Sequence, residues 1–277
     1  MPGNRRLIAL PIVCLFLLVA CAPALGAQST PGNRIVYGLS FEPSGIDPHI
    51  NASAELGIPL RQVYDTLVYR DPTTGDFVPG LAQSWEISPD GTRYTFHLKQ
   101  GVTFHDGTPF NAQAVAANLD RILDPDVASQ KAIFMLGPFA DYEIVDDYTI
   151  ALILAQAYAP LLDSLSQVYL GIASPTALQA VSRERYQFHQ VGTGPYEFVE
   201  YVPGDRIIIR RSPTYTWGPS FYLPPTENAI DEVEFRFLTD ASARALALEA
   251  GDVQVVGEIL PTDARALATE SGIQLIQ

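Results

Sequence analysis

Apolar and polar residues change rhythm along this chain, and the changes predict its elements. Leu7 to Ala20 (LIALPIVCLFLLVA) is an unbroken apolar run of 14 residues. Arg34 to Ser40 (RIVYGLS) is strand-like, and Pro43 to Pro48 then interrupt it. From Ala54 to Val68, Leu56, Leu60, Val63 and Leu67 recur at the spacing of an amphipathic helix. In Arg93 to Lys99, Tyr94, Phe96 and Leu98 alternate with Thr95, His97 and Lys99, the period of a strand with one buried face. Ser88 to Gly91 (SPDG) is turn chemistry between that strand and Ser84 to Ser88, which predicts a hairpin. Asn111 is placed to cap a helix in which Val115, Leu119 and Ile122 share a face.

The second half continues in the same manner. Tyr142 to Val145 and Thr149 to Leu154 read as a hairpin around Asp146 and Asp147. Tyr158 to Ser166 reads as a helix, Val168 to Ile172 as a short strand, and Pro175 to Val181 as a helix. Two strands follow the Gly192 to Pro195 turn, at Tyr196 to Val202 and Arg206 to Arg211. Ser212 to Pro225 is aromatic and Pro-rich without a period, an ordered loop. The chain closes with strands at Val233 to Leu238, Val253 to Val256 and Ile273 to Ile276. Between them lie helices at Ser242 to Ala250, with Gly251 just past its end, and at Pro261 to Thr269. Hairpins first and a βαβα pattern last imply a mixed α/β fold. A terminal strand with no closing element implies that the architecture continues past Gln277.

Composition narrows the function. The 277 residues carry 17 Lys+Arg against 31 Asp+Glu, a formal charge of −14. That balance argues against nucleic acid, which needs a basic footprint, and against a polybasic membrane patch. Both cysteines, Cys14 and Cys21, lie in the first 21 residues, so the rest has no disulfide, thiolate metal site or Cys nucleophile. The apolar run is shorter than the ~20 residues of a membrane span. With Arg5 and Arg6 before it, it reads as a secretory signal peptide over residues 1–20. Leu18 to Cys21 (LVAC) resembles a bacterial lipobox, with Cys21 as the lipidated first residue of the mature chain. Ordinary cleavage near Ala24 to Ala27 is the alternative, and the distance of Cys21 from the apolar run favours lipidation. Cleavage before Cys21 takes the charge from −14 to −16. Residues 21–33 are small, polar and Pro/Gly-bearing, a lipid-anchored tether to a domain at 34–277.

No enzyme motif or cofactor fingerprint is present, so neither catalytic residues nor a cofactor are expected. His49, His97, His105 and His189 are too scattered for a metal motif. His97 reads as solvated and His105 as part of the Asp106-Gly107 turn, while His49, at the start of a loop, reads first as structural with a ligand contact as the lesser alternative. Tyr215, Trp217, Phe221 and Tyr222 cluster in one loop and could either stack on an organic ligand or pack in the core.

Leu81 to Ala112 (LAQSWEISPDGTRYTFHLKQGVTFHDGTPFNA) closely resembles the signature of family 5 extracellular solute-binding proteins, the oligopeptide, dipeptide and nickel receptors of ABC importers. Four further stretches match in the family's order: Ile46 to His49, Val63 to Val68, Val191 to Phe198, and Ala243 to Val253. The resemblance implies a type II periplasmic-binding-protein-like α/β fold, here the first lobe with its β-rich subdomain and without the second lobe. It implies a monomeric receptor that takes up peptide, or another solute such as a nickel chelate or oligosaccharide, between lobes and docks on a membrane permease. For ligand contact it points to Ile50, Asn51, Ala52, Ser53 and Ala54, which would offer backbone groups to an extended ligand, and to Phe134 in the Ser129 to Phe134 segment. A lipid-anchored hydrolase and a truncated remnant that binds nothing are the competing readings.

Overall fold

The computed structural model describes residues 33–219, 221, 229–270 and 272–276. The signal and tether segments, Cys21 and Tyr222 lie outside the described residues. The strands are β1 (Arg34–Leu39), β2 (Val68–Arg70), β3 (Phe77–Pro79), β4 (Ala82–Ile87), β5 (Arg93–Leu98), β6 (Phe139–Asp146), β7 (Thr149–Leu154), β8 (Tyr196–Val202), β9 (Arg206–Arg211), β10 (Glu232–Phe237) and β11 (Val255–Val256). The helices are α1 (Gly57–Leu60), α2 (Ala112–Leu123), α3 (Ala132–Met135), α4 (Leu161–Leu165), α5 (Pro175–Ala180), α6 (Arg183–Tyr186), α7 (Ala241–Glu249) and α8 (Pro261–Leu267).

Two sheets carry the architecture. The first has the order β11-β1-β10-β9-β8; β1 runs parallel to β10 and β11, and the β8-β9 hairpin adds antiparallel to β10. The second is an antiparallel sheet of order β4-β5-β7-β6, both of whose predicted hairpins form. β2 and β3 pair separately. In the second sheet Tyr94, Phe96 and Leu98 face inward beside Ile150, Leu152 and Leu154, as the period of two requires. Each fully buried side chain of this kind contributes about 1.5–3 kcal/mol. Helix α2 lays Val115, Leu119 and Ile122 on the same cluster, and the Asn111 side chain accepts from the Ala114 N–H at 3.0 Å as its cap. Residues from β9 and β10 (Ile207, Ile209 and Phe235) belong to the same cluster, so one core joins the two sheets. The outer edge strand β6 is largely exposed and carries Asp141, Glu143 and Asp146.

Several predicted elements come out differently. The helix expected over Ala54 to Val68 is the single turn α1, although Leu56, Leu60, Val63 and Leu67 are all buried as their spacing demanded. Beyond Leu60 the chain abandons helix because its carbonyls are used elsewhere. Gln62 C=O accepts from Tyr196 N–H and Val63 C=O from Gly194 N–H, both at 2.9 Å. A Cβ at Gly192 or Gly194 would collide with those carbonyls, which explains the two glycines. Val168 to Ile172 is no strand: Val168–Leu170 is a buried 3₁₀ turn whose N–H groups bond back within the chain, Leu170 to Gln167 C=O and Gly171 to Val168 C=O, both at 2.9 Å. The expected helix at Tyr158 to Ser166 starts only after Pro160. Val253 to Val256 shrinks to a two-residue strand on Tyr37 and Gly38. Ile273 to Ile276 pairs with nothing among the described residues; an apolar run becomes a strand only where an edge takes it up, and Ile276 is 89% exposed.

Candidate functional site

The loop Ile50 to Ala54 leaves a buried polar hub. The Asp47 carboxylate is buried and takes both guanidinium nitrogens of Arg121 from α2, at 3.0 and 2.5 Å. A paired, bidentate guanidinium is what allows a carboxylate to sit there. The Asp47 backbone then shapes the loop. Its C=O accepts from the Ile50 and Asn51 N–H groups, and its N–H donates to the Asn51 side chain at 3.1 Å. The Asn51 side chain also donates to Ser44 C=O, so it belongs to the loop's own frame.

His49 is fully buried beneath this loop, and its Nε2–H donates to the Gly171 carbonyl at 2.9 Å. A carbonyl can only accept, so Nε2 carries the proton and Nδ1 is left as a buried lone pair without a partner. Burial, with the Arg121 charge beside it, pushes the His49 pKa down to about 4. His49 is therefore a support under the loop, and the lesser alternative of a ligand contact falls away. Next to it runs a chain of hydrogen bonds: Tyr186 to Tyr64 at 2.9 Å, Tyr64 to Gln190 at 2.8 Å, and Gln190 to the Ile46 carbonyl at 2.8 Å. The Arg121 guanidinium lies over the Tyr186 ring, 5.1 Å from its centre.

Two more ties bring the other expected segment to the loop. Gln130 N–H donates to Ile50 C=O at 2.9 Å, and Tyr169 O–H donates to Ser53 C=O at 2.9 Å. Ser53 Oγ is occupied by Glu55 at 2.7 Å. Among the described residues, no hydrogen bond uses the C=O of Asn51, the N–H or C=O of Ala52, or the N–H of Ser53 and Ala54. Ala52 and Ala54 are exposed, and Phe134 projects from α3 with 76% of its surface open. The structure thus brings the loop and the Ser129 to Phe134 segment together, through Gln130, at one surface.

A second buried carboxylate, Asp65, was not singled out from sequence. It accepts from Tyr69 O–H, from Tyr215 O–H at 3.1 Å, from Trp217 Nε1–H at 2.9 Å and from Thr193 O–H at 3.0 Å. Burial pushes its pKa up, and these four bonds hold it back in part. Tyr215 and Trp217, one option for ligand stacking, are instead committed to this knot and meet edge to face at 5.3 Å. His105 donates from Nε2 to the Gly194 carbonyl at 2.9 Å and so fastens the same glycine turn. His97 lies on the open sheet face, 3.8 Å from Glu86. No cluster of His, Cys, Asp or Glu able to hold a metal exists among the described residues. Arg121, Tyr64, Tyr186 and Gln190 were likewise not foreseen. For Asp65 a signal existed, a lone acid inside the apolar stretch Val63 to Val68, which must find donors.

The fold is that of the type II periplasmic binding proteins, and known proteins bear that out. The sequence profile of "Bacterial extracellular solute-binding proteins, family 5 Middle" matches residues 76–277, and the chain belongs to that family. It is 35% identical to the glutathione-binding protein GsiB of Shigella flexneri over 196 residues, 71% of this chain and 36% of that protein. A solved periplasmic binding protein DppA from Helicobacter pylori, in complex with the peptide STSA, superposes with a TM-score of 0.75 at 29% identity over 87% of this chain and 49% of that one. A nickel ABC transporter protein from Bacillus halodurans gives 0.72 at 29% identity, over 87% and 46%. The chain spans 36% of the length of that curated relative and about half of the solved ones.

Proposed function

We propose that this protein is the substrate-binding component of an ABC importer and captures peptides outside the cytoplasmic membrane. The observation that carries the reading is the set of unpaired backbone groups in the loop, at Asn51 C=O, both groups of Ala52 and the N–H of Ser53 and Ala54, with the loop tied through Gln130 to the segment that carries exposed Phe134. An extended peptide pairs with such groups as an added strand would, and an aromatic side chain on the tied segment gives a side chain somewhere to pack. Residues 34–277 contribute the first lobe and β-rich subdomain of a two-lobed receptor. Ligand held between lobes shifts an open–closed equilibrium, and the closed form is the one presented to the permease. The role is binding without turnover and without a cofactor, by a monomer.

Peptides are favoured over a nickel chelate or an oligosaccharide because the free groups are backbone donors and acceptors in series. Native mass spectrometry or calorimetry with peptide, nickel-chelate and oligosaccharide pools tests this. Peptide adducts are expected, and no peptide binding up to millimolar concentrations would sink the reading.

Export is proposed in the same terms: residues 1–20 act as signal peptide, Cys21 as lipidated residue, and 21–33 as tether. Among the described residues no helix is long and apolar enough to cross a membrane, so a lipid would be the means of attachment. Mass spectrometry of the protein from a bacterial membrane fraction should find a lipid-modified Cys21. Cys21→Ser should release it, and an unmodified chain starting near Ala27 would refute lipidation.

A further inference from the structure

The same surface carries a cation that nothing assigned so far uses. Lys131 is the residue before α3, and its Nζ sits over the Tyr169 ring, 3.8 Å from the ring centre. That ring is buried and donates through its hydroxyl to Ser53 C=O. One tyrosine therefore ties the ammonium to the loop with the free backbone groups. The next residue back, Gln130, holds Ile50 C=O, and Phe134 stands three positions on. Among the described residues no carboxylate lies within 4.0 Å of Lys131. Arg121, on the helix before it, is by contrast committed to Asp47, so Lys131 is the cation of this segment left without an acid.

We infer that the Lys131 ammonium, steadied on Tyr169, receives a carboxylate of the ligand, so that the site prefers anionic peptides. This rests on the binding surface proposed above and adds the charge class of what it takes. The chemistry follows from the parts. A cation–π contact leaves the remaining ammonium protons free to donate. A half-buried ammonium gains more from a carboxylate than an open surface lysine does. The ring also restricts a flexible side chain, so less rotamer entropy is lost when the ligand arrives. The loop supplies pairing along the peptide and Lys131 marks one charged point on it.

The test uses a random tripeptide pool with free carboxyl termini, the same pool amidated, and citrate as a non-peptide polycarboxylate. Wild type, Lys131→Gln and Lys131→Arg are compared by native mass spectrometry and calorimetry. Wild type should bind the free-acid pool about tenfold more tightly than the amidated pool, a preference that added salt weakens. Lys131→Gln should bring free-acid affinity down to the level of the amidated pool and remove the salt dependence, and Lys131→Arg should restore the preference. An undiminished preference in Lys131→Gln overturns the inference while peptide binding stands. If peptides fail in both forms but citrate binds in a Lys131-dependent way, the ammonium's role stands and the peptide reading falls. Absence of all three ligands overturns both.

Discussion

Asp47 and Asp65 are both buried carboxylates, and they are compensated by opposite means. Asp47 has a charged partner, the Arg121 fork, reached across 74 positions of sequence. Asp65 has only neutral donors, four of them, from three separate segments. A charge pair concentrates its compensation in one residue, whereas a ring of neutral donors distributes it. The two sites also do different work. Asp47 builds the turn from which the candidate ligand loop departs. Asp65 knots together the stretch after α1, the glycine turn before β8, and the aromatic loop after β9.

The contrast can be broken most severely at Arg121. Arg121→Met leaves Asp47 buried and unpaired, and should cost about 3–5 kcal/mol in urea unfolding. It should also abolish ligand binding, because the Asn51 turn loses its anchor. A loss below ~1 kcal/mol would show that Asp47 does not depend on the pair.

The next effect is in pH. His49 titrates near 4 when folded and at the ordinary 6.5 when unfolded, so the unfolded chain binds its proton first. Its contribution is fully present above 6.5 and is lost as pH falls toward 4. Over that window it amounts to about 3 kcal/mol, by ~1.4 kcal/mol per pH unit. His49→Gln, whose amide can still donate to Gly171, should flatten the fall measured by urea midpoints between pH 7 and 4. A residual slope remains from His105, which burial also pushes down. An unchanged slope would remove His49 from the account.

At Asp65 the loss of a single donor should be milder. Trp217→Phe keeps the ring packing and removes one of four bonds, for about 1–2 kcal/mol by the same measurement. A cost equal to that of Arg121→Met would erase the distinction between the two sites. The smallest effect belongs to Phe134→Ala. So exposed a side chain should change stability by less than ~0.5 kcal/mol, yet weaken peptide binding several-fold. A change in stability without a change in binding would make Phe134 part of the scaffold.

The division between what was legible in sequence and what was not follows from range. The β4-β5 and β6-β7 hairpins, the Asn111 cap and the inward faces of β5 and α2 are set by neighbours a few positions apart, and periodicity finds them. The extent of α1 was not legible, because its end is decided by Gly194 and Tyr196 more than a hundred positions later. The same holds for the partners of Asp47 and Asp65, each a single residue whose spacing repeats nowhere. The loop Ile50 to Ala54 was reached through family resemblance. What singles it out in the structure, its unpaired backbone, is a property of three dimensions alone.

The acidic edge of the second sheet has a consequence of another kind. A row of open backbone groups on an edge strand invites a second molecule to zip onto it. On β6, Asp141 and Asp146 place negative charge without an ion-pair partner along that row, while Glu143 is held by Arg93 at 2.7 Å. Two copies approaching edge to edge would bring four unpaired carboxylates together, so repulsion acts before any strand can register. The same surplus of acid that says nothing about the ligand keeps neighbouring copies of this chain from becoming one another's partners.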